Sequence, residues 1–261
     1  MTLEEIATFI VADGKGILAA DESNPTCGKR FDSIGVESTE ENRRDYREML
    51  FRSKGMKGNI GGVILFDETI RQSAADGTLL REIILKQGAL PGIKVDKGLQ
   101  PIENFPGETV TVGLDGLDER LKEYAEMGAK FTKWRAVINI GDGIPSDECI
   151  HANMDALAQY AKCAQENGMV PIVEPEVLMD GEHSIDACYD ATERSLKSLF
   201  EHLEKYQVNI KGTILKPNMV TSGSNHNIQA SINEVATRTI DCLVKNVPSE
   251  SGYLAKLFDT L

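Results

Sequence analysis

Six short runs rich in β-branched and apolar residues recur along the chain, at 16–21, 62–66, 92–96, 131–137, 170–174 and 212–216. Segments of helical period lie between and after them, near 39–53, 78–88, 116–127, 146–167, 184–206 and 229–246. This alternation constrains the fold more than any other feature. Strands separated by helical crossovers return to the same end of a sheet and pair in parallel. Helix boundaries carry their own signals. Thr2 and Glu5 have the spacing of a capping box, as do Ser38 and Glu41; Ser146 stands as an N-cap, and Gly168 follows a helix end.

Doubly wound sheets and (β/α)8 barrels both satisfy this pattern. The first strand–helix turn, Ala-Asp-Glu-Ser-Asn-Pro, lacks GxGxxG, and GxxxxGK[ST] is absent, so nucleotide-binding folds lose ground. The charged residues argue further. Nearly every strand run is apolar until its C-terminal end, where Lys94 and Asp96, Lys133 and Arg135, and Glu174 and Glu176 each stand two apart. Period two puts each pair on one strand face, which in a barrel can be the interior, at the mouth where such folds hold their active sites. Asp21 and Lys216 end their own runs in the same way. A single charge at a strand end is commonly a solvated boundary. Recurrence on five strands with mixed signs points to a shared site.

Composition narrows the function classes. A formal net charge of −13 in 261 residues argues against nucleic acid or an anionic membrane as partner. No apolar run of the ~18 residues needed to span a bilayer occurs, and no secretory leader is recognisable, so a cytoplasmic protein is expected. The five cysteines are odd in number and form no CxxC pair; the four histidines are scattered, and no metal site is expected.

The strand ends together offer the cations Lys94, Lys133, Arg135 and Lys216 and the anions Asp21, Asp96, Glu174 and Glu176. A lysine becomes a nucleophile when burial or a neighbouring cation disfavours its ammonium form. Lys133 is such a neighbour for Lys216, and the carboxylates can pass the protons that imine formation needs. The plainer reading of Lys216 is a buried strand lysine neutralised by a glutamate.

Six stretches, in order, carry a family resemblance: Leu-Ala-Ala-Asp-Glu-Ser at 18–23, Gly-Ile-Lys-Val-Asp-Lys-Gly at 92–98, Gly-Leu-Asp-Gly-Leu at 113–117, Lys-Trp-Arg at 133–135, Pro-Ile-Val-Glu-Pro-Glu at 171–176 and Leu-Lys-Pro-Asn-Met-Val at 215–220. With matching spacing from about residue 3 to about residue 248, the chain resembles the class I fructose-1,6-bisphosphate aldolases. The resemblance implies a (β/α)8 TIM barrel and usually a homotetramer. It also implies reversible cleavage of fructose 1,6-bisphosphate to dihydroxyacetone phosphate and glyceraldehyde 3-phosphate without metal or cofactor. Lys216 falls on the Schiff-base lysine and Glu174 on the principal acid/base, with Asp21, Lys133 and Glu176 as assisting residues. Ser23, Arg30 and Lys94 match phosphate-side positions, Thr26 a hydroxyl near the distal phosphate, and Arg43 and Arg135 substrate contacts.

Only six of the eight βα units are recognisable. The resemblance implies an incomplete barrel over residues 1–248 and a non-matching tail over 249–261, which leaves strands one and six as open edges and lacks the family's later phosphate-binding motifs. Reduced activity is therefore expected. A catalytically weak or inactive fragment or isoform is one alternative, and a transaldolase-like Schiff-base enzyme is another.

Overall fold

The protein is described by a computed structural model covering residues 1–249 and the backbone of Leu257–Phe258. Helix α1 (Leu3–Ile10) leads into strand β1 (Gly16–Ala20), followed by α2 (Asn24–Asp32) and α3 (Glu40–Phe51). Next come β2 (Ile60–Leu65), α4 (Asp67–Arg71), α5 (Leu80–Lys86) and β3 (Leu90–Lys94), then a small hairpin of β4 (Leu99–Pro101) and β5 (Thr109–Thr111). Helix α6 (Leu117–Glu126), β6 (Phe131–Ile138), α7 (Asp147–Glu166), β7 (Val170–Val177), α8 (Ile185–Lys205), β8 (Ile214–Leu215) and α9 (Ile232–Asn246) complete six strand–helix units.

The main sheet runs β8-β7-β6-β3-β2-β1, every neighbouring pair parallel. It curls, as contacts between strands that are not neighbours show. Lys133 of β6 reaches Asp21 beyond β1, 3.1 Å away, although β3 and β2 separate those strands in the sheet. The fold is thus of the α/β TIM-barrel type, with six βα units among the described residues. The expectation of an open edge on β1 is corrected in part: a two-residue strand, β9 (Leu257–Phe258), lies parallel to β1 beside Ile17 and Leu18. Such pairing takes up backbone groups that an edge strand leaves unsatisfied.

Strand periodicity sorts side chains into two cores. Ile17, Ile64, Phe131, Val170, Ile172 and Ile214 meet on the concave side, where Ile6, Ala7 and Ile10 of α1 pack against them. Phe131 fills so much of this space that a Cβ on Gly92 would sit 2.3 Å from its ring, and one on Gly62 would sit 2.9 Å away. Both strands need glycine there. On the convex side Trp134, fully buried, stacks on Tyr160 of α7 with ring centroids 5.4 Å apart. The Tyr160 hydroxyl donates to the Ile172 carbonyl at 3.2 Å and hydrogen-bonds Thr132 Oγ1 at 2.7 Å, tying α7 to β6 and β7.

Helix starts follow the capping residues closely. Thr2 and Glu5 form a reciprocal capping box, and Ser146 Oγ accepts from the Cys149 amide at 3.0 Å. The Ser38–Glu41 box is not formed. Thr39 caps α3, accepting from the Asn42 amide at 3.1 Å, while Ser38 turns its carbonyl and hydroxyl to Arg43.

Candidate active site

The concave face of each strand changes character along its length. On β6 the inward column runs Phe131, Lys133, Arg135; on β7 it runs Val170, Ile172, Glu174, Glu176; at β8 Ile214 is followed two positions on by Lys216. The apolar lower half forms the core, and the charged upper half gathers at the carboxyl ends of the strands. Lys216 is held just past β8 by its amide, which donates to the Val173 carbonyl at 2.9 Å.

At the centre is Glu174, almost wholly buried. One carboxylate oxygen pairs with Lys216 Nζ, and the other lies 3.0 Å from Lys133 Nζ. Lys133 also donates to Asp21 Oδ2 at 3.1 Å, so four groups from β1, β6, β7 and β8 form a continuous chain of opposite charges. Burial alone would depress the Lys133 pKa. The charges of Asp21 and Glu174 outweigh it and raise the pKa above the usual lysine value, so Lys133 is held as the ammonium ion. Beside this chain Arg135 pairs with Glu176, and Lys94 pairs with Asp96. Burial likewise opposes the charge of Arg135, and Glu176 more than offsets it.

These groups border a cleft of about 800 Å³, in the size range of small-molecule sites. Asp21, Ser23, Thr26, Lys94, Lys133 and Arg135 line it. Glu174 and Glu176 adjoin through Lys133 and Arg135, and Lys216 adjoins through Glu174. On the opposite wall Ser23 stands as the N-cap residue of α2, yet its hydroxyl makes no capping bond and instead lies 3.0 Å from Thr26 Oγ1. No acidic residue occupies the first turn of α2, although Asn24 at its start donates through Nδ2 to Glu68 Oε2 at 3.3 Å.

Besides Glu174, Glu176 and Lys216, which adjoin the cleft through their partners, Arg30 and Arg43 lie outside its lining. Arg30 points to Glu22, with Nη1 2.6 Å from Oε1, and its side chain is about half exposed. Arg43 is buried and fully engaged: Nε and Nη2 donate to the two oxygens of Glu68 at 2.8 and 2.6 Å, and Nη1 donates to the Ser38 carbonyl at 2.7 Å. Arg47, completely buried beside it, donates to the Glu22 carbonyl at 2.6 Å. This cluster fixes α3 under the turn that leads from β1 into α2.

Sequence reading missed several lining residues. Arg71 and Asp67 come from α4, Glu123 and Arg120 from α6 and Lys97 from the loop before β4. Arg71 is clamped between Asp67 at 2.9 Å and Glu123 at 2.5 Å, while Arg120 donates to the Val95 and Gly113 carbonyls. Asp67 carried a partial signal, as a carboxylate two positions past the end of β2 where Asp21 stands one position past β1. The helix residues carried none, since their placement depends on how α4 and α6 turn back over the mouth.

Comparison with known proteins bears on what this site is. Residues 2–253 match the family model described as fructose-bisphosphate aldolase class-I. A protein of Xanthomonas campestris named as a probable fructose-bisphosphate aldolase class 1 is 55% identical over 247 residues, covering 95% of this chain and 74% of that protein. A cytosolic fructose-bisphosphate aldolase of Arabidopsis thaliana is 50% identical, covering 93% of this chain and 62% of its own length. Among solved structures, the fructose-bisphosphate aldolase of Plasmodium falciparum, in a complex with TRAP and a small-molecule inhibitor, superposes with a TM-score of 0.95. It is 44% identical, and the match covers 97% of this chain and 73% of that one.

Proposed function

The chain belongs to the class I fructose-bisphosphate aldolase family, and on that premise we propose that it cleaves fructose 1,6-bisphosphate reversibly through an imine on Lys216. One observation supports Lys216 above all. Its amine is paired with Glu174, a carboxylate almost wholly buried and able to exchange protons with it.

The neutral amine attacks C2 of the open-chain ketose, forming the C–N bond. The carbonyl oxygen takes up protons and leaves as water, giving a protonated imine. Loss of the C4 hydroxyl proton then breaks the C3–C4 bond; glyceraldehyde 3-phosphate departs, and the bonding pair enters the iminium as an enamine. Protonation at C3 and hydrolysis release dihydroxyacetone phosphate and restore the lysine. Glu174 is the proposed proton carrier, with Asp21, Lys133 and Glu176 assisting imine formation and C–C cleavage. The imine itself is the electron sink, so the proposed cycle uses no metal or organic cofactor.

Phosphate recognition is assigned to Ser23, Thr26 and Lys94, supported by the α2 N-terminus and its acid-free first turn. Arg135 is the proposed substrate contact on the β6 side. Arg30 engages Glu22 through Nη1, and the proposed part of Arg43 is to hold Glu68 and the α2 turn in place. Five free cysteines fit a cytoplasmic location, and no described helix is long and apolar enough to cross a membrane. A homotetramer is the proposed assembly. No observation favours the transaldolase or inactive-fragment readings.

A coupled assay on fructose 1,6-bisphosphate tests this directly. Turnover is expected to persist in excess EDTA and to vanish in Lys216→Met. Activity abolished by EDTA, or retained by that variant, contradicts the proposal.

A further inference from the structure

Outside the cleft lining, His151 and Asp155 of α7 face His202 of α8. They form the one group of three or more His, Cys, Asp or Glu side chains among the described residues whose ligand atoms are close enough to hold a metal ion. One nitrogen of each imidazole and one carboxylate oxygen all lie within 4.8 Å of one another. Because α7 is helical, His151 and Asp155, four positions apart, share a face one turn from each other. The imidazoles meet edge to face with centroids 4.6 Å apart.

The buried member is already oriented. Nδ1 of His202 lies 2.7 Å from the Ser198 carbonyl, which can only accept, so in the neutral ring Nδ1 carries the hydrogen and Nε2 keeps its lone pair. That lone pair is on the side of Asp155, with Nε2 3.7 Å from Oδ1. A backbone carbonyl fixing the far nitrogen is the arrangement that orients metal-bound histidines. Asp155 is held too: Oδ1 accepts from the Tyr206 hydroxyl at 3.0 Å and Oδ2 from Gln159. Its remaining partner, Lys205 Nζ at 3.1 Å, sits on an exposed, mobile-stemmed side chain.

We propose that His151, Asp155 and His202 form a surface site for a divalent transition-metal ion, Zn²⁺ being the best-matched probe, which clips α7 to α8. Two imidazoles and a carboxylate with open positions suit Zn²⁺ or Co²⁺ and not the hard cations Mg²⁺ or Ca²⁺. With bonds of about 2.1 Å, ligand atoms around a tetrahedral ion stand about 3.4 Å apart, so side-chain rotation of the exposed His151 closes the site. Lys205 competes for the same oxygen and must leave when the ion enters. The site plays no part in the proposed imine chemistry, whose activity assay in EDTA stands independently.

Titration of the full, tag-free chain with ZnCl₂ in a calorimeter tests the proposal. One ion per chain is expected, with a rise in melting temperature and, for Co²⁺, a visible absorption band. His151→Ala is exposed and leaves the core untouched; it should weaken Zn²⁺ binding by at least the 10–100-fold seen when metal-ligand supports are lost, and abolish the Co²⁺ band. Asp155→Asn should act in the same direction. Lys205→Ala should instead tighten binding about twofold to threefold by removing a competing surface ion pair. Absence of saturable binding in the wild-type chain overturns the proposal, as does equal affinity in wild type and His151→Ala.

Discussion

Lys133 Nζ and Glu174 Oε2 lie 3.0 Å apart, both side chains buried, and the other oxygen of that carboxylate belongs to Lys216. The glutamate is therefore held between two lysines, one tied further to Asp21. Replacing Lys133 by Met strips Glu174 and Asp21 of their shared cation. Breaking a buried pair in this way costs about 3–5 kcal/mol, to be read from urea denaturation near neutral pH. The folded-state pKa of Lys133 is raised, so its stabilising contribution is fully present below the ordinary lysine value of 10.5 and is lost as pH rises through the higher folded value. The wild type should lose stability on the alkaline side above about pH 10.5, and Lys133→Met should lack that component.

Glu174→Gln keeps the shape and removes the proton carrier. The expected loss in kcat is about 10²–10⁴-fold, the range of general acid–base catalysis. Stopped-flow measurement of imine formation should slow as well. A variant with unchanged kcat would remove Glu174 from the chemistry and leave it as a neutralising partner only.

The Arg43–Glu68 pair makes an acid-side prediction. Hydrogen bonding from Arg43, opposed by burial, lowers the Glu68 pKa below its ordinary 4.5. A depressed carboxylate contributes stability above its unfolded pKa and loses it as pH falls through the folded value. Urea midpoints should therefore decline below about pH 4.5 in the wild type. Arg43→Met should lower stability at neutral pH by about 3 kcal/mol and show less of that decline.

Much of the fold is legible in the residues because strands and core share one signal. The switch from Phe131 to Lys133 and Arg135, or from Ile172 to Glu174 and Glu176, marks both a strand and the end of it that faces the cleft. The apolar periodicity of α7 and α8 locates them within a residue or two. Helix α2 was hidden, since Asn-Pro-Thr-Cys-Gly-Lys-Arg-Phe-Asp carries a proline, a glycine and little apolar period. Its fold depends on Cys27 and Phe31 being buried from outside. The engagement of Arg43 was equally invisible, because Glu68 is distant in sequence and arrives only when α4 folds back. His151 and His202 look scattered for the same reason.

Gly92 tests the packing account. An added Cβ would lie 2.3 Å from the Phe131 ring, in a core with no slack. Gly92→Ala should destabilise by about 1–3 kcal/mol, the cost of overpacking. Pairing it with Phe131→Leu should recover part of that loss, giving a coupling that melting curves of the two single variants and the double variant can measure.

The central claim is that Lys216 carries the substrate as an imine. Incubation with dihydroxyacetone phosphate followed by borohydride reduction, proteolysis and mass spectrometry reads it directly. A single reduced adduct on the peptide containing Lys216, absent in Lys216→Met, is the predicted result. A folded chain giving no adduct, or an adduct on Lys94 or Lys133 in place of Lys216, would contradict it.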